Sequence, residues 1–439
     1  MLNKHQIARY HLKKDIGLLE AILYGIGIIL GAGIYALIGV GAGVAGNALW
    51  ISFLVGAFIA AFTGFSYAEL SSMYPKEAAE YVYTKHAFRK EVLSFIVQWV
   101  MFFTVVVSIP AVALGFAGYW NFLFGGSIIF IAIALIAAMS FLNYFGIKES
   151  AKYNNVSTII EASGLAAVIL LGLYYGIGND VFSSMDFFAS PGGIGGILAG
   201  TTIVYFAFIG FENIANISEE AKHAKEIIPK AILISLAISA VIYVLVAIAA
   251  VSILGWEALS ASKAPLAEAA EKVIPGSSGV LAVIALFATS NTVLILLIVG
   301  SRLLYGLSSN GSLPAFLSRI GERGTPYFSV LTILALSGLS LLLGGIKKLA
   351  HLTDLGIFIV YIFVNLSVIV LRYREPDAKR LFRSPLNIGR FPLMAFMGIL
   401  LNLLMFYFFD FMTFVYGILL SAAGFVVYFL FDKNHQKDL

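Results

Sequence analysis

Residues 25–43 read GIGIILGAGIYALIGVGAG, a hydrophobic run with the length of a membrane helix and the wrong centre for one. Gly31-Ala32-Gly33 lies mid-run. Each interior glycine costs about 0.8–1 kcal/mol relative to alanine, and an unpaired backbone group in hydrocarbon costs several kcal/mol more. A break tolerated there must line a cavity. Half-helices that stop at mid-membrane offer free N–H groups at one end and free C=O groups at the other, which suit a carboxylate and an ammonium group or cation respectively. Those are the two charges of an amino acid, so the stretch points to a membrane transporter of a small zwitterion.

The rest of the chain agrees with a membrane setting. Of 439 residues, 60% are apolar and 12% charged, and the mean hydropathy is +0.94. Soluble domains carry about 25% charged residues, so this is an all-α polytopic membrane protein. A span needs about 20 mostly apolar residues. Cutting at the charged and Pro/Gly-rich interruptions predicts twelve transmembrane helices in one transporter domain, near 17–43, 48–74, 91–120, 127–146, 154–177, 196–217, 230–254, 279–308, 327–344, 352–373, 391–409 and 411–431. With both termini cytoplasmic, all of the 28 Lys and Arg except Lys263, Lys272, Lys347 and Lys348 fall on the inner side. That asymmetry sets the orientation in the cell membrane, and it accounts for the net charge of +4 better than nucleic-acid binding does. No cleavable signal precedes span 1, which is expected to act as its own insertion signal. The absence of cysteine excludes disulfides, thiolate metal sites and thiol catalysis.

Polar residues inside the spans narrow the function. Lys4, Arg9, Lys13 and Lys14 form a basic lead that sets topology, and Glu20 follows at the mouth of span 1, either a gate element or simply solvated. Span 2 ends in YAELSSMYP with Glu69 near its inner end, and a short amphipathic surface helix is expected between Lys76 and Lys90. Span 3 carries Thr104, Ser108, Ala111 and Gly115 at helical spacing, with Pro110 as a kink, a pattern that suits close helix packing. On span 5, Asn154, Ser157, Thr158, Glu161 and Gly164 recur on one face. A charge at the centre of a lone membrane helix costs about 2.5–3.5 kcal/mol, so Glu161 needs a partner, water or a proton. Span 6, TTIVYFAFIGFENIANISEE, is a second glycine-interrupted span bearing an acid, Glu212, five helices after the first. Two such spans mark the binding site of an inverted-repeat transporter, and five helices between them turn the second half over. Short surface helices in 256–276 would cap the site. Ser290, Asn291 and Thr292 on span 8 suit either a cation site or bonds to the preceding turn. Asp354 opens span 10, and spans 11 and 12 read as scaffold or an oligomer face.

These motifs together resemble the amino acid, polyamine and organocation transporter superfamily, in its prokaryotic cationic-amino-acid-transporter-like branch. The resemblance rests on GIGIILGAGIY, YAELSSMYP, FAFIGFE with EEAKHAKEIIPKAI, SRLLYGLSSNGSLP and LRYREPDAKRLFRSPL in order, across spans 1 to 10. It implies a five-plus-five inverted repeat of the LeuT type with helices 1 and 6 broken (repeat 1 about 15–177, repeat 2 about 190–374, further helices about 391–431), working by alternating access. It further implies an L-amino acid held through its carboxylate by the amides of Ala32 and Gly33 and through its ammonium by the carbonyls of Ile29, Phe206 and Ile209. Gly31, Ile34 and Ala207 would complete the backbone site, Phe206 and Phe208 would shape the side-chain pocket, and Glu212 would take part in gating. Two departures matter. Thr104 stands where some members carry an acid for cationic side chains, which favours a neutral or apolar substrate. Glu161 stands where proton-coupled relatives often carry a lysine, so the charge is reversed. Burial raises a carboxyl's pKa, which would let Glu161 exchange a proton; sodium binding with span 1 carbonyls and Ser290 or Thr292 is the alternative.

The expectation is therefore proton-coupled uptake of a neutral amino acid, with Glu161 and Glu212 titrating and with Ser290, Asn291 and Thr292 nearby. No cofactor, metal or nucleic acid is expected. Exchange without net ion coupling, sodium coupling and a non-transporting amino acid sensor remain alternatives. An enzyme is disfavoured, because His5, His11, His86, His223, His351 and His435 all lie near or outside membrane ends.

Overall fold

The computed structural model describes residues 16–76, 78–145, 147–309, 311–321 and 324–431. The basic lead with Lys4, Arg9, Lys13 and Lys14, and also His5, His11 and His435, lie outside the described residues. In chain order the helices are α1 Leu18–Ala45, α2 Leu49–Met73, α3 Ala79–Phe88, α4 Glu91–Phe124, α5 Ile128–Phe145, α6 Ile147–Gly178, α7 Val181–Ser184, α8 Gly193–Val204 and α9 Asn213–Asn216. There follow α10 Ala224–Leu254, α11 Trp256–Ala261, α12 Pro265–Val273, α13 Ser278–Ser309, α14 Tyr327–Ser340, α15 Ile346–Arg374, α16 Leu393–Met405 and α17 Phe411–Phe431. A two-stranded ribbon, β1 Asn387–Ile388 with β2 Phe391–Pro392, precedes α16.

Among the described residues, nine helical segments are long and apolar enough to cross a membrane. One of them, Leu18–Met73, contains both α1 and α2, and two shorter apolar helices cover Tyr327–Leu343 and Leu393–Phe408. Gly46 makes the α1–α2 turn at φ 69°, a left-handed conformation with no room for a Cβ beside the Ala189 carbonyl. α1 and α4 form the centre: α1 packs on α8, α10 and α13, while α4 packs on α13 and α15. α5, α6 and α17 are the most exposed of the long apolar helices, as expected where hydrocarbon replaces water.

The connections carry their own physics. α3 buries Ala79, Glu80, Tyr83, Thr84 and Ala87 and exposes its other face, as an amphipathic helix within 76–90 requires. At the opposite end, α11 covers Gly39 and Gly43 of α1, the Leu259 carbonyl and Ser260 leaving no space for larger residues there. The Glu271 carboxylate accepts the amides of Gly276 and Ser278, each at 2.9 Å, at the start of α13; these bonds hold its carboxyl below the usual range. Glu20 is exposed and accepts the Gly17 amide at 3.1 Å, so it acts as a cap for α1.

The α3 end of the bundle is tied by a buried ion cluster. Glu69 on α2 accepts Nε and Nη2 of Arg372 on α15, both at 2.6 Å, together with the amide and hydroxyl of Ser384, each at 2.9 Å. Arg380 Nε lies 3.3 Å from the same carboxylate. One carboxylate therefore fastens α2, α15 and the 375–392 connection, its own charge paired as a buried charge requires, while Nη1 of Arg372 and Nε of Arg380 have no hydrogen-bond partner among the described residues.

Candidate transport site

α1 is not one helix but two, because Gly31 leaves the helical region at φ −8°, ψ −166°. The second break lies opposite. α8 gives way to a tight 3-10 turn at Tyr205–Phe208, Ile209 is extended, and Gly210 takes φ +128°, a conformation that favours glycine, before α9 resumes. The two breaks are pressed together. A Cβ on Gly33 would collide with the Ala207 backbone, and one on Gly210 would come within 2.6 Å of the Ile28 side chain.

The chain's own side chains satisfy the broken ends. Thr292 Oγ1 on α13 accepts the Ala32 N–H at 2.8 Å and donates to the Ala288 carbonyl. On the other side the Tyr243 hydroxyl of α10 bonds the Ile29 carbonyl and lies 2.8 Å from the Ala207 carbonyl. A phenol has one proton for those two acceptors; an ammonium group has three. An N–H is thus held by a hydroxyl, and two carbonyls converge on a single donor, where the two breaks meet.

The predicted residues divide around this centre. Ile29, Gly31, Ala32, Gly33, Ala207 and Thr292 meet at it, while Ile34 and Phe208 are buried and Phe206 nearly so. Phe208 packs edge-on against Tyr243 at 5.2 Å and Phe53 at 6.4 Å, and the Ile209 amide closes the turn onto the Phe206 carbonyl. Thr104 is buried between α4 and α15: its hydroxyl donates to the Val100 carbonyl and abuts Gly356. Of the three polar neighbours on α13, Thr292 alone bonds α1. Asn291 donates to Asn154 of α6 at 3.0 Å, and Ser290 pairs with the Tyr153 hydroxyl at 2.6 Å.

The polar stripe of span 5 faces inward along α6. Thr158 abuts Gly27, Gly164 abuts Tyr35, and the Glu161 carbonyl accepts the Tyr35 hydroxyl at 2.9 Å. The Glu161 carboxylate is buried, and neither oxygen has a hydrogen-bond partner among the described residues. Glu212, fully buried, is instead well held: Oε2 accepts the Gly210 amide at 2.9 Å and the Tyr361 hydroxyl at 2.8 Å. Tyr35, Tyr243 and Tyr361 do not stand out in the sequence, since a tyrosine in an apolar span looks like any packed aromatic. Their signal is positional: Tyr35 lies one turn past the α1 break on the same helix, and Tyr243 and Tyr361 lie on the neighbouring α10 and α15.

Comparison with known proteins adds an independent line. A family model described as amino acid permease matches residues 16–431. A branched-chain amino acid permease of Bacillus subtilis is 28% identical over 449 residues, covering 97% of this chain and 94% of its own. A methylthioribose transporter of the same organism is also 28% identical, over 448 residues, covering 97% and 95%. Cationic amino acid transporter 4 of Mus musculus is 28% identical over 399 residues, which are 85% of this chain and 62% of the mouse protein. The family match runs through both backbone breaks and the helices that carry Glu161, Glu212 and Thr292: this chain is a multi-pass membrane protein that belongs to the amino acid permease family, within the amino acid, polyamine and organocation superfamily.

Proposed function

We propose that the chain is a secondary active transporter that takes up a neutral or apolar L-amino acid with protons, by alternating access. The observation that carries this reading is the pair of opposed broken ends, one N–H occupied by Thr292 and two carbonyls sharing the Tyr243 hydroxyl. A substrate carboxylate replaces the first and a substrate ammonium improves on the second, with the charge preferences that helix ends impose. Phe206, Phe208 and Ile209 offer the side chain an apolar lining, and Thr104 brings no carboxylate for a cationic one. The similarity to the branched-chain permease supports the same class.

The architecture that goes with it is twelve membrane helices: Leu18–Met73 counts twice once divided at Gly46–Ala48, and the two shorter apolar helices are added. Residues of about 15–177 and 190–374 form two inverted repeats of the LeuT type, broken at Gly31 and Gly210, with 391–431 appended and both termini cytoplasmic in the cell membrane. Glu161 is the coupling carboxylate, because a proton neutralises it without further ligands. Sodium held by Glu161 and α1 carbonyls, and exchange without net ion coupling, are the competing modes.

A second substrate reading comes from the methylthioribose transporter. Both are tested by the thermal stability of the purified protein in a panel of leucine, isoleucine, valine, arginine and methylthioribose. Ligand at a hundred times its Kd stabilises the folded state by about 2.7 kcal/mol. A raised unfolding temperature with branched-chain or other neutral amino acids is expected; stabilisation by methylthioribose or arginine alone overturns the substrate assignment.

A further inference from the structure

Asp354 lies eight residues beyond the start of α15 at Ile346, about 12 Å along the helix, and is completely buried. Neither carboxylate oxygen has a hydrogen-bond partner among the described residues. Among the described residues, no basic group pairs with it. His351 turns to Phe409 and Asp410, Lys348 lies over the Tyr416 ring, Lys347 stands nearer the head of the helix, and Arg372 is engaged by Glu69. A bare carboxylate in this setting is the costliest state a side chain can hold, and it is relieved by a proton or by a cation with several oxygen ligands.

A neighbouring side chain is also unsatisfied. Tyr205, at the first turn of the span 6 break, is fully buried and has an unpartnered hydroxyl among the described residues. Its ring packs edge-on against Phe358 at 4.6 Å, one turn beyond Asp354 on the same face of α15. That face continues to Tyr361, whose hydroxyl donates to Glu212. Tyr361 in turn packs at 5.9 Å from Tyr67, whose hydroxyl donates to the buried Glu80 of α3 at 2.8 Å. Around α15, therefore, Glu212 and Glu80 each have a tyrosine hydroxyl as partner, whereas Asp354 has none among the described residues.

We propose that Asp354 is a second proton-binding site of this protein, in the buried pocket beside Tyr205 at the span 6 break. The inference deepens the proton-coupled reading and rests on it for its role, though not for its test.

Infrared spectra of the purified protein in lipid, subtracted between wild type and variant and recorded both with and without sodium, read protonated carboxyls directly. Wild type is expected to show a protonated-carboxyl band at neutral pH that Asp354→Asn removes, that Tyr205→Phe shifts, and that Glu161→Gln leaves in place. A band set identical in wild type and Asp354→Asn, or unmoved by Tyr205→Phe if the first variant fails to fold, overturns the proposal. Loss of the Asp354 band on adding sodium overturns it in favour of a metal cation. Uptake indifferent to a proton gradient, with the band present and assigned, refutes the coupling reading and leaves the Asp354 proton site standing.

Discussion

Glu161→Gln is expected to abolish accumulation of substrate driven by a proton gradient, bringing the accumulation ratio to about 1, while exchange of internal for external substrate persists. The reason is the isolation of this carboxylate. It is buried beside Tyr35 and Tyr243 with both oxygens unpartnered among the described residues, and its own backbone carbonyl, not its side chain, takes the Tyr35 hydroxyl. Glutamine keeps the shape and removes the titration. Because Tyr243 also reaches the Ile29 and Ala207 carbonyls, a change of charge at Glu161 would be felt through one side chain at the position we propose for the substrate ammonium. Uptake by reconstituted vesicles at two external pH values checks this; pH dependence retained in full by the variant rules out Glu161 as the coupling group.

The second large effect is expected at Glu69. Replacing it by glutamine leaves Arg372 and Arg380 buried without their anion, and breaking a buried ion pair by removing one partner destabilises by about 3–5 kcal/mol. The loss should appear as a marked fall in the unfolding temperature. A double-mutant cycle with Arg372→Met should return part of it, since the uncompensated charge is then gone. If Glu69→Gln unfolds at the wild-type temperature, the cluster is not what fastens α2 to α15.

How far the sequence foretells these features follows from what each residue type signals. Both breaks are legible, because a glycine at the centre of an apolar span weakens the helix and contributes no apolar side chain, and Gly31 and Gly210 are where the backbone departs from the helix. The α6 stripe is legible from its period, and it does face α1 and α13. Less can be read where position along a span decides the meaning. Asp354 reads as a helix opener when the span is taken from 352; α15 begins at Ile346, which carries that acid into the interior. Glu69 and Arg372 look like two separate boundary charges, since the pairing joins residues about 300 positions apart. Ser290, Asn291 and Thr292 are consecutive and so must point different ways around α13; periodicity does not say which of them meets the break.

Proton-coupled uptake stands most directly on one measurement: the entry of labelled amino acids into proteoliposomes under an inward proton gradient, an inward sodium gradient, or neither. The predicted result is concentrative uptake of a neutral amino acid with the proton gradient alone. Uptake that needs sodium, or that occurs only against internal amino acid, would contradict it.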